Sequence, residues 1–274
     1  MSKPSNPSRA DRRSAVALLA RACCALAAVL SLTAALWGGL ARMGLPLHLH
    51  PPGWLSGSHG ALMVNGFLGT VISLERAVAL GRPTGYLPAL AVGLGVVVAT
   101  TLSAPIGRWL VLAGSVGLVG LFLLFILRQT VTHHLMMGAA AAAFASGNLL
   151  WALDWPIFDL VALWSVFLVW TIAGERLELS RVLGQDRRQI AALVALVVLG
   201  GVGVGLGVAG VDTGARLLGA SYLGTALWLG WFDVARRTAG AGGLTGYIGR
   251  LLLSGYLWLG VGGLLLTLYA NPLA

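Results

Sequence analysis

The chain has 274 residues, of which 58% are apolar and 10% charged, with a formal net charge of +9 and a mean hydropathy of +0.87. A soluble domain carries about 25% charged residues, so composition excludes water as the main solvent, and from residue 14 onward no stretch is left for a soluble domain. The basic charge therefore needs no nucleic-acid partner, because no soluble basic surface exists to bind one.

A bilayer core about 30 Å thick is crossed by roughly 20 apolar residues, and in lipid the backbone groups must be satisfied within the segment. The expected fold is all-α, a polytopic transmembrane bundle of about nine helices, at 16–39, 58–79, 86–105, 108–127, 133–153, 156–175, 189–210, 216–234 and 248–270. Residues 1–13 form a polar, basic tail. Arg12 and Arg13 suggest a twin-arginine signal, but the apolar run after them is too long for a cleaved segment and lacks a small-x-small site before Trp37. An uncleaved first helix is expected. Its adjacent Cys23 and Cys24 exclude a disulfide framework and read as small packing residues. The 39 glycines recur inside spans, where small residues let helix backbones approach; they read as packing surface, not as a phosphate loop.

With the N-terminus inside, 15 of the 18 basic residues fall at or near the cytoplasmic face, and only Arg42, Arg108 and Arg216 fall outside. This is the positive-inside pattern, and it implies a plasma (inner) membrane protein with its C-terminus outside. Trp37, Trp54, Trp109, Trp151 and Trp155 line the outer boundary as an aromatic belt. The partner that composition requires is the bilayer; a homo-oligomer or a respiratory membrane partner is a further option.

The helices also read as a duplication. Helix 2 ends in Val71, Ile72, Ser73, Leu74, Glu75, Arg76 and helix 6 in Thr171, Ile172, Ala173, Gly174, Glu175, Arg176, an offset of 100. Helices 4 and 8 each open on an Arg (Arg108, Arg216) and close on one (Arg128, Arg236), and Ala34 to Trp37 matches Asn148 to Trp151. The implied division is a tail at 1–13, a first four-helix repeat at 14–131, a second at 132–237, and a ninth helix with the C-terminus at 238–274. Four helices is an even number, so both copies keep one orientation. The first copy carries an extra outer loop, residues 43–56, with His48 and His50.

Polar groups inside a bilayer are functional candidates by default. The outer layer holds His48, His50, His59 and Asp159, with Asn65, Asn148, Thr100 and Thr101 slightly deeper. The inner layer holds Glu75, Arg76, His133, His134, Glu175, Arg176 and Asp233. Adjacent residues on a helix point about 100° apart, so the Glu–Arg pairs are expected to close as salt bridges between helices, and the two histidines to form a solvated boundary pair or a proton or metal site. On helix 2, His59, Met63, Gly66, Thr70 and Ser73 make one stripe of small and polar residues beneath a His. A flat cofactor suits such a face, and neutral imidazole ligates iron or copper. The His48-x-His50 spacing with His59 and Asp159 also permits one copper or zinc ion at the outer surface.

The run His59, Gly60, Met63, Val64, Phe67 resembles the second helix of haem-copper oxidase subunit I and of the NnrS-type haem and copper membrane proteins. In those oxidases the His at this outward position is an axial ligand of the low-spin haem, and three four-helix repeats build the subunit. The resemblance implies haem b or copper at His59, with Met63 beside it, in a respiratory or nitrosative-stress setting. The chain departs from that pattern: it has no third repeat, and the counterpart of His59 in the second copy is Asp159. Oxygen or nitric oxide reduction at a haem-copper pair is therefore not expected, and the second axial ligand of a haem would be His48, His50, a Met, another subunit's His59, or none. The competing readings are a small-molecule or ion transporter, against which no span is visibly broken by Pro at mid-membrane, and a ligand-free scaffold or assembly factor. A hydrolytic enzyme has no support, since no Ser-His-Asp set, His-Glu-x-x-His motif or nucleotide loop is present.

Overall fold

The computed structural model describes residues 9–45 and 51–270. Among these, every regular element is helical: α1 (Arg9–Arg42), α2 (Gly53–Leu80), α3 (Tyr86–Thr101), α4 (Ala104–Arg128), α5 (Thr132–Ala152), α6 (Ile157–Leu179), α7 (Arg187–Val208), α8 (Thr213–Phe232), a single turn at Ala235–Thr238, and α9 (Gly243–Tyr269). Eight of these long helices have the length and apolarity to cross a membrane, and many of their large apolar side chains face outward, so the protein is a multi-pass membrane protein. The exception to the expected nine is α8, which has 20 residues but is not among the eight. Arg216 and its run of hydroxyl and aromatic residues lower its hydropathy.

The element boundaries correct the sequence reading most clearly at α2, which starts at Gly53 instead of near residue 58. Residues 53–56, expected in the outer loop, are its first turn, and His59 stands in the second turn. At its other end Gly81 adopts φ 68°, and its N–H donates to the carbonyls of Ala77 and Val78 at 3.2 and 3.1 Å. This left-handed cap followed by Pro83 stops the helix.

By contact the chain forms two compact units, one comprising Met1–Leu127 with Phe144–Trp164 and the other Arg128–Ala143 with Ser165–Ala274. In the first unit α2 packs on α1 and α3 through small residues. A β-carbon built at Gly66 would stand 2.5 Å from Ser31 Oγ of α1, and one at Gly93 of α3 3.2 Å from Thr70 Cγ2 of α2. Val92, Val96, Val111, Leu118 and Phe122 are buried in this unit, and α3 meets α4 at Gly95 and Gly114, where β-carbons would stand 2.8 Å from Val111 Cγ2 and 2.7 Å from Val92 Cγ2. At one end of this unit Arg108 pairs with Asp154 and lies over the Trp151 ring, 5.6 Å from its centroid.

In the second unit α8 packs on α7 and α9, and both seams are made by glycine. A β-carbon at Gly203 would meet Leu218 N at 2.6 Å, and one at Gly263 would meet Leu223 N at 2.5 Å. The glycine-rich text is thus packing surface, as its placement in spans implied. Of α9, only 11% of the most apolar window is buried; the rest, including Leu251, Leu257, Trp258 and Leu268, is exposed apolar surface.

Candidate functional site

His59 is half-buried, and its Nδ1 lies 2.8 Å from the carbonyl oxygen of Ala35 on α1. A carbonyl only accepts, so Nδ1 carries a proton and donates; in the neutral ring this tautomer has its lone pair on Nε2. The ring is held against α1 because residue 39 is glycine: a β-carbon there would stand 2.8 Å from Nδ1. Gly38 does the same for the α2 backbone, where a β-carbon would stand 2.6 Å from Leu55 O.

Below His59 the helix changes form. Residues Leu62–Gly69 are π-helical, a rare widening that recurs at functional sites. No Pro marks it, and it was not foreseen from the sequence. Thr70 Oγ1 donates to Asn65 O at 3.3 Å, and Gly69 lets the widened turn lie against Phe144 of α5, whose Cζ would be 2.7 Å from an added β-carbon. The π turn also shifts the predicted stripe. Gly66, Thr70 and Ser73 are buried, with Ser31 and Val96 against Gly66 and Gly93 against Thr70. The face assigned to a flat cofactor is therefore occupied by α1 and α3; Met63 is half-buried.

Two contacts fix how α2 and α5 run beside each other. Gly60 approaches Ile157, just past the end of α5, and Gly69 approaches Phe144 within it. The helices are antiparallel, so the end of α5 points toward His59. Asn65 is about one turn from Gly69, and Asn148 one turn from Phe144, both toward the His59 end and both close to the contacting face. The two asparagines thus stand at one level on facing helices. Both are 0% exposed. Asn148 Oδ1 accepts from Trp164 Nε1 at 3.1 Å, whereas Asn148 Nδ2 and both amide atoms of Asn65 have no hydrogen-bond partner, like the hydroxyls of Ser31 and Ser73 nearby. The buried polar residues of this unit, Ser31, Asn65, Thr70, Ser73, Ser115 and Asn148, are all uncharged.

The remaining predicted residues separate. Asp159 is exposed near the start of α6, and His48 and His50 lie outside the described residues. Among the described residues no three His, Cys, Asp or Glu side chains come together as a metal site. Glu75 and Arg76 pair with each other at 2.7 Å, the long Arg side chain curling back across the roughly 100° step between neighbours. His133 is 4% exposed, with Nε2 4.0 Å from Glu178 Oε1, so it is not a solvated boundary residue. The His134 Nδ1–H donates to Gln129 O at 3.0 Å, and the two imidazole rings meet edge to face at 4.6 Å. Glu175 and Arg176 are half-buried near the end of α6.

Asp233, placed in the inner layer by sequence, has partners that sequence did not supply. It is 1% exposed. Its Oδ1 accepts from Ser180 Oγ at 2.9 Å, and its Oδ2 accepts from Tyr256 OH at 2.7 Å and from Ala235 N at 3.2 Å. Ser180 Oγ in turn accepts from Val234 N at 3.3 Å. This carboxylate joins the end of α6, the break after α8 and the middle of α9.

A family model described as Domain of unknown function (DUF8744) matches residues 21–273, so the chain belongs to that family. No curated protein and no solved structure matches it.

Proposed function

We propose that this member of the DUF8744 family passes small uncharged polar solutes across the plasma membrane, through a polar level of its first unit set by Asn65 and Asn148. The observation that carries the reading is the set of unpartnered amide groups on facing helices. A buried polar group left unsatisfied costs about 1–3 kcal/mol, and a guest with both donors and acceptors, such as water, urea or a small polyol, removes that cost. An ion suits the level poorly, since among the described residues the fully buried polar side chains of that unit are all uncharged. The π segment supports the same reading, because irregular backbone at mid-membrane lines cavities in transporters. The basic asymmetry of the loops supports a cytoplasmic N-terminus, and the Glu75–Arg76 and Glu175–Arg176 recurrence supports a four-plus-four duplication. The test is stopped-flow light scattering of proteoliposomes challenged with urea or glycerol gradients. Faster equilibration than in empty liposomes, lost in Asn65→Leu and Asn148→Leu, is the expected result; rates equal to empty liposomes sink the proposal.

A second reading has its own support. The His59 imidazole donates through Nδ1 to the Ala35 carbonyl and leaves Nε2 outside that bond, the hydrogen bond that orients a metal-ligating His, in keeping with the resemblance to NnrS-type and haem-copper proteins. Absorption spectroscopy and elemental analysis of the purified protein decide it: a Soret band or bound copper that His59→Ala removes supports it, and a colourless, metal-free preparation ends it.

A further inference from the structure

In the second unit the turn after α6 and the start of α5 line an open cleft of about 460 Å³, within the range of about 300–1,000 Å³ usual for small-molecule sites. It is lined by Thr132, His133, Leu177, Arg181, Gln185 and Ile190 among others. Three features give it a chemistry. Gln185 is only half-exposed, and both its amide atoms, Nε2 and Oε1, are buried without a hydrogen-bond partner. Arg181 brings a guanidinium to the same wall, and Leu177 and Ile190 supply an apolar side. The surrounding segment is basic, with Arg128, Arg176, Arg181, Arg187 and Arg188 against Glu175, Glu178 and Asp186.

A guanidinium beside an amide N–H selects a phosphoryl group, because the planar fork matches phosphate oxygens. The orphan carbonyl Oε1 requires that the same ligand carry a donor. We infer that this cleft binds a phosphoryl group bearing a hydroxylated substituent, with Arg181 and Gln185 Nε2 on the phosphate oxygens and Gln185 Oε1 accepting from a hydroxyl. A glycerophospholipid headgroup and a soluble polyol phosphate share this chemistry. The site is independent of the Asn65 level, and its test reads binding and not permeation, so each can fail alone.

The test uses the full chain, delipidated in detergent and checked for monodispersity by size exclusion. Its thermal midpoint is followed with glycerol 3-phosphate, with phosphatidylglycerol micelles and with phosphatidylcholine micelles, and retained lipid is read by native mass spectrometry. Stabilisation by phosphatidylglycerol alone assigns the headgroup source, and stabilisation by glycerol 3-phosphate assigns a soluble ligand; either supports the inference. Arg181→Gln and Gln185→Leu are each expected to weaken apparent affinity at least about tenfold, with the unliganded midpoint of Arg181→Gln close to that of the parent and that of Gln185→Leu equal or higher, since the orphaned amide is removed. No stabilisation by either phosphate, equal stabilisation by phosphatidylcholine, or binding unchanged in both variants overturns it.

Discussion

Two buried polar regions of this protein stand in contrast. At the Asp233 junction both carboxylate oxygens are taken up by Ser180, Tyr256 and Ala235. At the Asn65–Asn148 level only one of the four side-chain amide atoms, Asn148 Oδ1, is engaged. Both regions are secluded, so burial does not separate them; completeness does. A satisfied buried network fixes one arrangement of helices, whereas unsatisfied groups hold free energy that a guest can release. The contrast marks the first region as architecture and supports the role proposed for the second.

The comparison can be broken from either side. The largest expected effect is at the junction: Asp233→Ala leaves two hydroxyls and an N–H without an acceptor, and should lower unfolding stability by about 3 kcal/mol or more, read as a fall in thermal midpoint in detergent. A variant as stable as the parent would remove the junction's structural role. Next comes Asn65→Leu, expected to raise stability by about 1–2 kcal/mol, since it removes two orphaned polar atoms from the interior, while abolishing solute passage. A marked loss of stability there would mean that the amide is satisfied in the folded protein and that the contrast is false. His59→Ala should cost about 1 kcal/mol, one hydrogen bond to Ala35, so loss of any bound metal in a folded variant reports ligation and not collapse. The smallest effect is at Glu75→Gln. Its carboxylate side chain is 56% exposed, and an exposed pair is worth less than about 1 kcal/mol; a midpoint shift of several degrees would place Glu75 in a larger network.

The membrane class, the helices and the glycine seams were legible from the text because bilayer thickness fixes span length, and the cost of bare backbone in lipid fixes helix. His59 and Asn65 were legible as polar residues inside such spans. Their partners were not. Ala35 lies 24 residues from His59 and Ser180 lies 53 from Asp233, separations over which no periodicity carries information. What packs on the stripe beneath His59 was hidden for a related reason: small residues mark close approach, and sequence does not say whether the approaching surface is a ligand or another helix.

By itself, then, the sequence determined the solvent, the secondary structure and which residues are costly where they stand, since each follows from the transfer of individual groups into lipid. Only the tertiary structure decided which of those costs are met. Satisfaction of a buried polar atom depends on a donor or acceptor within about 3 Å on another helix, and that depends on packing, on the widened turn at Leu62–Gly69, and on which glycine meets which backbone.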